Sequence, residues 1–222
     1  MIRLILSDVD GTITHRDRRI DVAAIEAIRK AIGRGILVSL VSGNVIPVMY
    51  GLEVFIGLNA PAFAENGGCY IMKEHVEAFF SKEKPEEFLR HIERITSAYG
   101  IFSNAWRLTS MGFGMREDDE ERVREEAKKF GVTVTNSGYS WHILNPGQDK
   151  AFAFRKLMEM YSLEKDEILV IGDSENDMPM FREAVHSACV GTNEVLMSMA
   201  ETVTSGKNSS GFVEALGKYG IV

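Results

Sequence analysis

The sequence predicts an α/β fold: a doubly wound, Rossmann-like parallel sheet interrupted by an inserted α+β unit. Three observations lead there. The apolar runs at Leu4–Leu6, Ile36–Val41 and Glu167–Ile171 each stop at small polar or acidic residues. Helical spacing follows each stop, and that alternation marks buried parallel strands. Between residues 82 and 147 the pattern changes to short strands mixed with two helices. At 222 residues the chain can bury one large core or two smaller ones. The expected division is a core of residues 1–81 and 148–222 with an insert of 82–147.

The first run ends in Ser7-Asp8-Val9-Asp10-Gly11-Thr12. In extended backbone alternate residues share a side, so Asp8 and Asp10 can face one place. Gly11 lets the chain turn away without a Cβ. Thr14–Arg19 is polar and reads as a loop. Asp21 can cap a helix with Val22, Ile25, Ile28 and Ile32 on one face, ended by Gly33 and Gly35. Ile36–Val41 is the second buried strand, followed by Ser42-Gly43-Asn44 and a helix with Pro47 in its first turn. Ala60–Gly68 reads as a short strand running into a turn at Glu65-Asn66-Gly67. Cys69–Met72 and Val76–Phe80 read as a hairpin.

In the insert, Pro85 starts a helix with Phe88, Leu89, Ile92 and Ile95 inward. Ile101–Arg107 and Met111–Met115 read as strands. A charged helix runs from Asp118 to Phe130 and ends at Gly131. Val132–Thr135 and Tyr139–Leu144 read as strands, closed by a turn at Asn145-Pro146-Gly147. The chain then returns to the core. Asp149-Lys150 opens a helix with Ala151, Phe154, Leu157, Met158 and Tyr161 at core spacing. The Glu167–Ile171 strand ends in Gly172-Asp173-Ser174-Glu175-Asn176-Asp177. A strand at Ser187–Val190 and a C-terminal helix at Ser209–Tyr219 complete the core, with Asn193 near the edge of the expected site.

Composition removes several function classes. A formal net charge of −7 argues against nucleic acid or an anionic membrane surface as a main partner. No stretch approaches the roughly 20 apolar residues of a membrane span, and the opening apolar run is too short for a secretion signal. Cys69 and Cys189 lie far apart without a paired-cysteine motif, so a disulfide framework or structural zinc is not expected, and a reducing, cytoplasmic setting is. A homodimer is compatible with the sequence, although no stretch demands one.

In an open parallel sheet the carboxyl ends of the strands line one edge, and ligands bind there. Asp8, Asp10, Ser42, Lys150, Asp173 and Asp177 are therefore expected to converge. Taken singly, each has a plainer reading as an acidic turn, a loop with a helix cap, or a surface lysine. Together they offer hard oxygen ligands suited to Mg²⁺ at Asp8, Asp10, Asp173 and Asp177. Ser42, Gly43, Asn44 and Lys150 supply donors and positive charge for a phosphate.

The ordered set Asp8-Val9-Asp10-Gly11-Thr12, Ser42, Lys150 and Gly172–Asp177 resembles the four motifs of the haloacid dehalogenase superfamily of phosphatases. An insert between the second and third motifs resembles a C2-type cap. Val41–Val48 and Ser137–His142 look like the archaeal phosphoglycolate phosphatases. The resemblance implies Mg²⁺-dependent hydrolysis of a small phosphate ester, 2-phosphoglycolate foremost, through an aspartyl-phosphate. It makes Asp8 the nucleophile and Asp10 the acid and base, with Mg²⁺ held by Asp8, the Asp10 backbone carbonyl, Asp173 and Asp177. Ser42 and Lys150 would hold phosphoryl oxygens. Trp106, Arg107, Tyr139, Trp141 and His142 are candidates for reading the organic part, His142 having the stronger claim to a structural role; Glu65-Asn66-Gly67 would border the pocket. A sugar-phosphate phosphatase is the alternative within this chemistry, and an aspartate-phosphorylated switch the alternative outside it.

Overall fold

The apolar runs become strands because their side chains, Leu, Ile and Val, fit a sheet buried on both faces. The computed structural model describes residues 1–15 and 17–222; Arg16, inside the loop read at Thr14–Arg19, lies outside them. In chain order the core begins with β1 (Leu4–Ser7), α1 (Val22–Gly33), β2 (Leu37–Leu40) and α2 (Ile46–Leu52). A π-helical turn at Glu53–Gly57 continues α2. Then β3 (Ala62–Ala64), β4 (Cys69–Met72) and β5 (His75–Ala78) form a small antiparallel sheet.

The segment that follows builds α3 (Glu83–Ile95), β6 (Tyr99–Gly100), β7 (Met111–Gly114), α4 (Glu120–Phe130), β8 (Thr133–Asn136) and β9 (Trp141–Leu144). The chain closes with α5 (Lys150–Tyr161), β10 (Ile168–Gly172), α6 (Met178–Glu183), β11 (His186–Cys189), α7 (Glu194–Met199), β12 (Thr202–Val203) and α8 (Asn208–Lys218).

The central sheet runs β12-β11-β10-β1-β2, all parallel. Alternation along β1 sends Ile5 into one apolar layer with Ile28 of α1 and Phe212 of α8. Leu4 and Leu6 enter the opposite layer with Phe154 and Leu157 of α5 and Phe181 of α6. Each such side chain, fully buried, contributes on the order of 2 kcal/mol. The sheet is thus covered on both faces, as the doubly wound expectation required. Register then places the site: Ser7 lies beside Leu40 and Ile171, so β1, β2 and β10 end level.

The four strands β6-β7-β9-β8 make a separate antiparallel sheet. One face packs Phe113 and Ile143 against Phe88 and Ile92 of α3 and Val123 of α4. On β9 the alternation that turns Ile143 into this cluster turns His142 to the other face.

Two expectations are corrected. Ile101–Arg107 is not a strand; Phe102–Trp106 is a 3₁₀ turn. Asn104 causes it by imitating a strand partner: its amide donates to the Gly112 carbonyl at 2.8 Å and accepts from the Gly112 N–H at 2.7 Å. On α1 the buried face is Ala24, Ala27, Ile28 and Ala31, and Val22 stands 67% exposed. Small alanines let α1 lie close to the sheet, so the face that packs is not the one with the largest side chains. The β12 strand was not anticipated, because a two-residue edge strand has no period to read.

Candidate active site

Two level strand ends, those of β1 and β10, deliver the acidic residues. Asp8 follows β1, and its N–H donates to the Ile171 carbonyl at 2.9 Å. Gly11 turns the chain back at φ 89, and a Cβ there would collide with the Asp173 carboxylate, so only glycine lets the first and last motifs approach. Thr12 Oγ1 donates to Asp173 Oδ1 at 3.3 Å across that contact. Asp177 Oδ2 accepts the N–H groups of Asp173 and Ser174 at 2.9 and 3.0 Å, which folds the loop after β10.

Asp149 caps α5 by accepting from the Phe152 N–H at 3.0 Å. This sets Lys150 at the first helical position, aimed at the end of β1. Lys150 Nζ is fully buried and donates to Asp8 Oδ1 at 2.5 Å and Asp177 Oδ1 at 2.6 Å. Burial alone would lower its pKa, but Asp177 and Asp8 outweigh that and raise it, so the ammonium stays charged.

Ligand oxygens of Asp8, Asp173 and Asp177 all lie within 4.8 Å of one another. One ammonium faces three carboxylates, leaving two negative charges uncompensated in a buried place. Burial therefore raises Asp8 well above the usual carboxylate range despite Lys150, with Asp177 and Asp173 adding to the rise. Burial and then Asp177 push Asp173 up to about 7. A divalent cation would neutralise this set, and all-oxygen donors of this density fit Mg²⁺.

The shift fixes a sign. Asp173 titrates near 7 in the metal-free fold and near 3.8 when unfolded. Between those values the folded chain holds the extra proton, so stability falls as pH rises. Melts in chelator should drop between pH 5 and 7.5 by roughly 2 kcal/mol, about 5 °C at this size. Added Mg²⁺ should remove the drop; an unchanged midpoint across that window would contradict the crowded-carboxylate picture.

Asp10 points away from this cluster. Its Oδ1 accepts from Arg18 Nε at 2.9 Å, and its Oδ2 accepts from Asn44 Nδ2 at 2.5 Å and Ser42 Oγ at 3.3 Å. Ser42 and Asn44 are thus tied to the acid two residues beyond Asp8. Gly43 is hemmed in on the other side, where a Cβ would meet the His142 ring at 2.8 Å. Arg107 Nη2 donates to the Gly43 carbonyl at 3.1 Å and Nη1 to Ser110 Oγ at 2.9 Å. His142 is buried and held neutral, first by burial and then by the charges of Arg107 and Lys150.

A cavity of about 500 Å³ opens over these groups. Asp8, Asp10, Ser42, Gly43 and Asn44 line it from below; Trp106, Arg107, Tyr139 and His142 line it from the segment above. Trp141 does not: it packs on Phe113 and takes Arg124 against its ring. Asn193 caps α7 and is apart from the cavity lining. Glu65-Asn66-Gly67 does not border the main cavity either. Glu65 instead accepts five hydrogen bonds from Leu108, Thr109 and Ser110.

Sequence reasoning missed Arg18 and placed Glu65 at the pocket's border rather than as the anchor of Leu108–Ser110. Glu65 was a turn residue whose partners lie more than forty positions on. Arg18 sat in a polar loop, and its only signal was a basic cluster close after the first motif.

The sequence profile of the haloacid dehalogenase-like hydrolases matches residues 5–129 and 70–216. The chain is 54% identical over 190 residues to the phosphoglycolate phosphatase of Thermoplasma acidophilum, covering 85% of each chain. It is 44% identical over 207 residues to that of Picrophilus torridus, covering 93% of this chain and 86% of the relative. A crystal structure of a Thermoplasma acidophilum protein superposes with a TM-score of 0.96 at 46% identity, covering all of both chains.

Proposed function

The chain belongs to the haloacid dehalogenase-like hydrolase family, and from that membership we propose that it is a Mg²⁺-dependent phosphomonoesterase whose substrate is 2-phosphoglycolate. Residues 82–147 act as the cap that covers the site. The observation that carries the reading is the buried cluster of Asp8, Asp173 and Asp177 around one ammonium, with a separately held acid at Asp10. The names of the relatives above support the substrate.

The chain's own residues divide the work. Lys150 fixes Asp8 Oδ1, which leaves Oδ2 to attack phosphorus in line and form the aspartyl-phosphate. Asp10, oriented by Arg18, Asn44 and Ser42, gives a proton to the departing glycolate oxygen. It then takes one from the water that cleaves the acyl phosphate. Ser42 holds a phosphoryl oxygen, and the Lys150 ammonium, set behind Asp8, offsets the charge that develops. The carboxylates of Asp8 and Asp173, the Asp10 backbone carbonyl and, through water, Asp177 would hold Mg²⁺, whose positive charge offsets the repulsion between carboxylate and phosphate. The cap excludes water from the closed site.

A second reading has one observation in its favour. A cavity of about 500 Å³ is in the range that holds drug-sized ligands, well beyond phosphoglycolate. That favours a sugar-phosphate phosphatase of the same family. Asp10 argues against a phosphorylated switch, since an acid placed to activate water would shorten the life of the phosphoryl group.

The deciding experiment is phosphate release from phosphoglycolate, several sugar phosphates and an aryl phosphate, each with Mg²⁺ and with chelator. We expect Mg²⁺-dependent release, fastest per mole of enzyme on phosphoglycolate at low substrate. Faster release from sugar phosphates would transfer the assignment to the second reading. Release that survives chelation would remove the metal.

A further inference from the structure

We propose that Arg18 reads the acid: its guanidinium binds the carboxylate of the substrate and sets the preference for phosphorylated acids over neutral phosphate esters. The inference rests on the phosphomonoesterase reading and deepens it.

A substrate carboxylate entering this cavity meets a negative floor, because Asp8 and Asp10 line it and Asp173 and Asp177 cluster with Asp8. It needs a cation of its own. Among the described residues, three cationic side chains stand close enough to consider. Lys150 is completely buried behind Asp8, with Asp8 and Asp177 as its partners. Arg107 is 3% exposed; its Nη groups hold Gly43 and Ser110, and its Nε is closed off from solvent. Arg107 borders the cavity but offers it little surface, and a fork onto a ligand would have to share the Nη groups that hold Gly43 and Ser110. The Arg18 side chain is 53% exposed and lines the cavity.

Its position relative to the chemistry is specific. Arg18 Nε donates to Asp10 Oδ1 at 2.9 Å, and Nη2 donates to Asn44 Oδ1 at 3.0 Å. Its guanidinium carbon lies 5.5 Å from the centre of the Tyr139 ring, which reaches across from the turn between β8 and β9. Asp10 is the group that protonates the ester oxygen. In phosphoglycolate a single methylene joins that oxygen to the carboxylate. A substrate placed for proton transfer from Asp10 therefore puts its carboxylate beside whatever cation borders Asp10, and that cation is Arg18.

The backbone supports a positioned side chain. Arg18 adopts φ 67, a conformation a non-glycine residue holds only when its surroundings impose it. The Arg18 N–H donates to the His15 carbonyl, and the His15 N–H to the Arg19 carbonyl, each at 2.9 Å. These two bonds help aim the guanidinium over the cavity. On binding, the substrate carboxylate takes the Nη edge now occupied by the neutral Asn44 amide oxygen, while Nε remains on Asp10. A planar fork with a charged acceptor is a stronger pairing than the one it replaces.

The test compares Arg18→Gln and Arg18→Lys with the wild-type chain on 2-phosphoglycolate and on ethyl phosphate, the same skeleton without the carboxylate. A parallel calorimetric titration uses 3-phosphonopropionate and propylphosphonate, which are not hydrolysed. We expect the ratio of kcat/KM values, phosphoglycolate over ethyl phosphate, to fall about 30-fold in Arg18→Gln, chiefly through KM. The ratio of the two phosphonate Kd values should shift by a similar factor, and Arg18→Lys should restore part of both. If both esters decline by one common factor and the phosphonate ratio is unmoved, Arg18 merely positions Asp10 and the proposal is overturned. A wild-type chain that hydrolyses both esters without preference overturns the substrate reading and this inference with it. A wild-type chain that hydrolyses neither, yet binds the two phosphonates with a difference that Arg18→Gln erases, overturns the hydrolase reading and upholds Arg18 as the carboxylate site.

Discussion

Asp8→Asn is expected to abolish turnover, lowering kcat by on the order of 10⁴-fold or more, while leaving the folded chain at least as stable as before in the absence of metal. The loss follows from chemistry, because a carboxamide oxygen does not form the acyl phosphate. The stability half follows from the charges. Asp8 is buried, and its pKa is driven upward, first by burial and then by Asp177 and Asp173, in spite of Lys150. Its ionised form therefore costs the fold free energy near neutral pH. Asparagine keeps the shape and an oxygen to accept from Lys150 Nζ, yet removes one of three crowded charges. Melting in chelator should give a midpoint equal to or above that of the wild type, and Mg²⁺ should stabilise the variant less. Residual turnover above about 1% would sink the nucleophile assignment. A large drop in the chelated midpoint would show that the Lys150 ion pair outweighs the repulsion.

The parts of this site that were legible in the sequence are those that follow from strand geometry. Asp8, Ser42 and Asp173 each sit just past an apolar run, and parallel strands that end level bring such positions together whatever their separation in sequence. Lys150 was legible for a related reason, since an aspartate cap fixes the helix start and with it the direction of the next side chain. The illegible parts depend on pairings that no period encodes. Ile101–Arg107 had the apolar content of a strand, but the Asn104 amide took the Gly112 backbone groups that a neighbouring strand would have used. Arg18 needed a left-handed backbone, held by its N–H on the His15 carbonyl, that no period encodes. Glu65 resembled any acidic turn residue until the segment it anchors was folded onto it.

Glu65→Ala is expected to destabilise the chain by about 4 kcal/mol and to raise KM as a consequence. Glu65 is fully buried at the end of β3, in a turn where Glu65, Asn66 and Gly67 all have positive φ. Its carboxylate accepts the N–H groups of Leu108, Thr109 and Ser110 at 2.7, 2.9 and 2.8 Å, and the hydroxyls of Thr109 and Ser110 at 3.0 and 2.7 Å. Alanine would orphan three backbone donors in a dry place, each costing about 1–3 kcal/mol, with partial relaxation keeping the total below their sum. Glutamine is not a mild replacement, because its NH₂ would face donors where a second acceptor is required; about half the cost of alanine should remain. The catalytic effect is indirect. Leu108–Ser110 adjoins Arg107, whose Nη2 pins the Gly43 carbonyl between Ser42 and Asn44. A slackened segment loosens that loop, so KM should rise more than kcat falls. Urea denaturation of both variants, with KM measured under conditions where they remain folded, tests this, and a Glu65→Gln midpoint equal to wild type would refute it. Asp8 and Glu65 are both buried carboxylates, and neutralising them is expected to act in opposite directions. The first is crowded by like charges, the second saturated with donors, and that environment decides the sign.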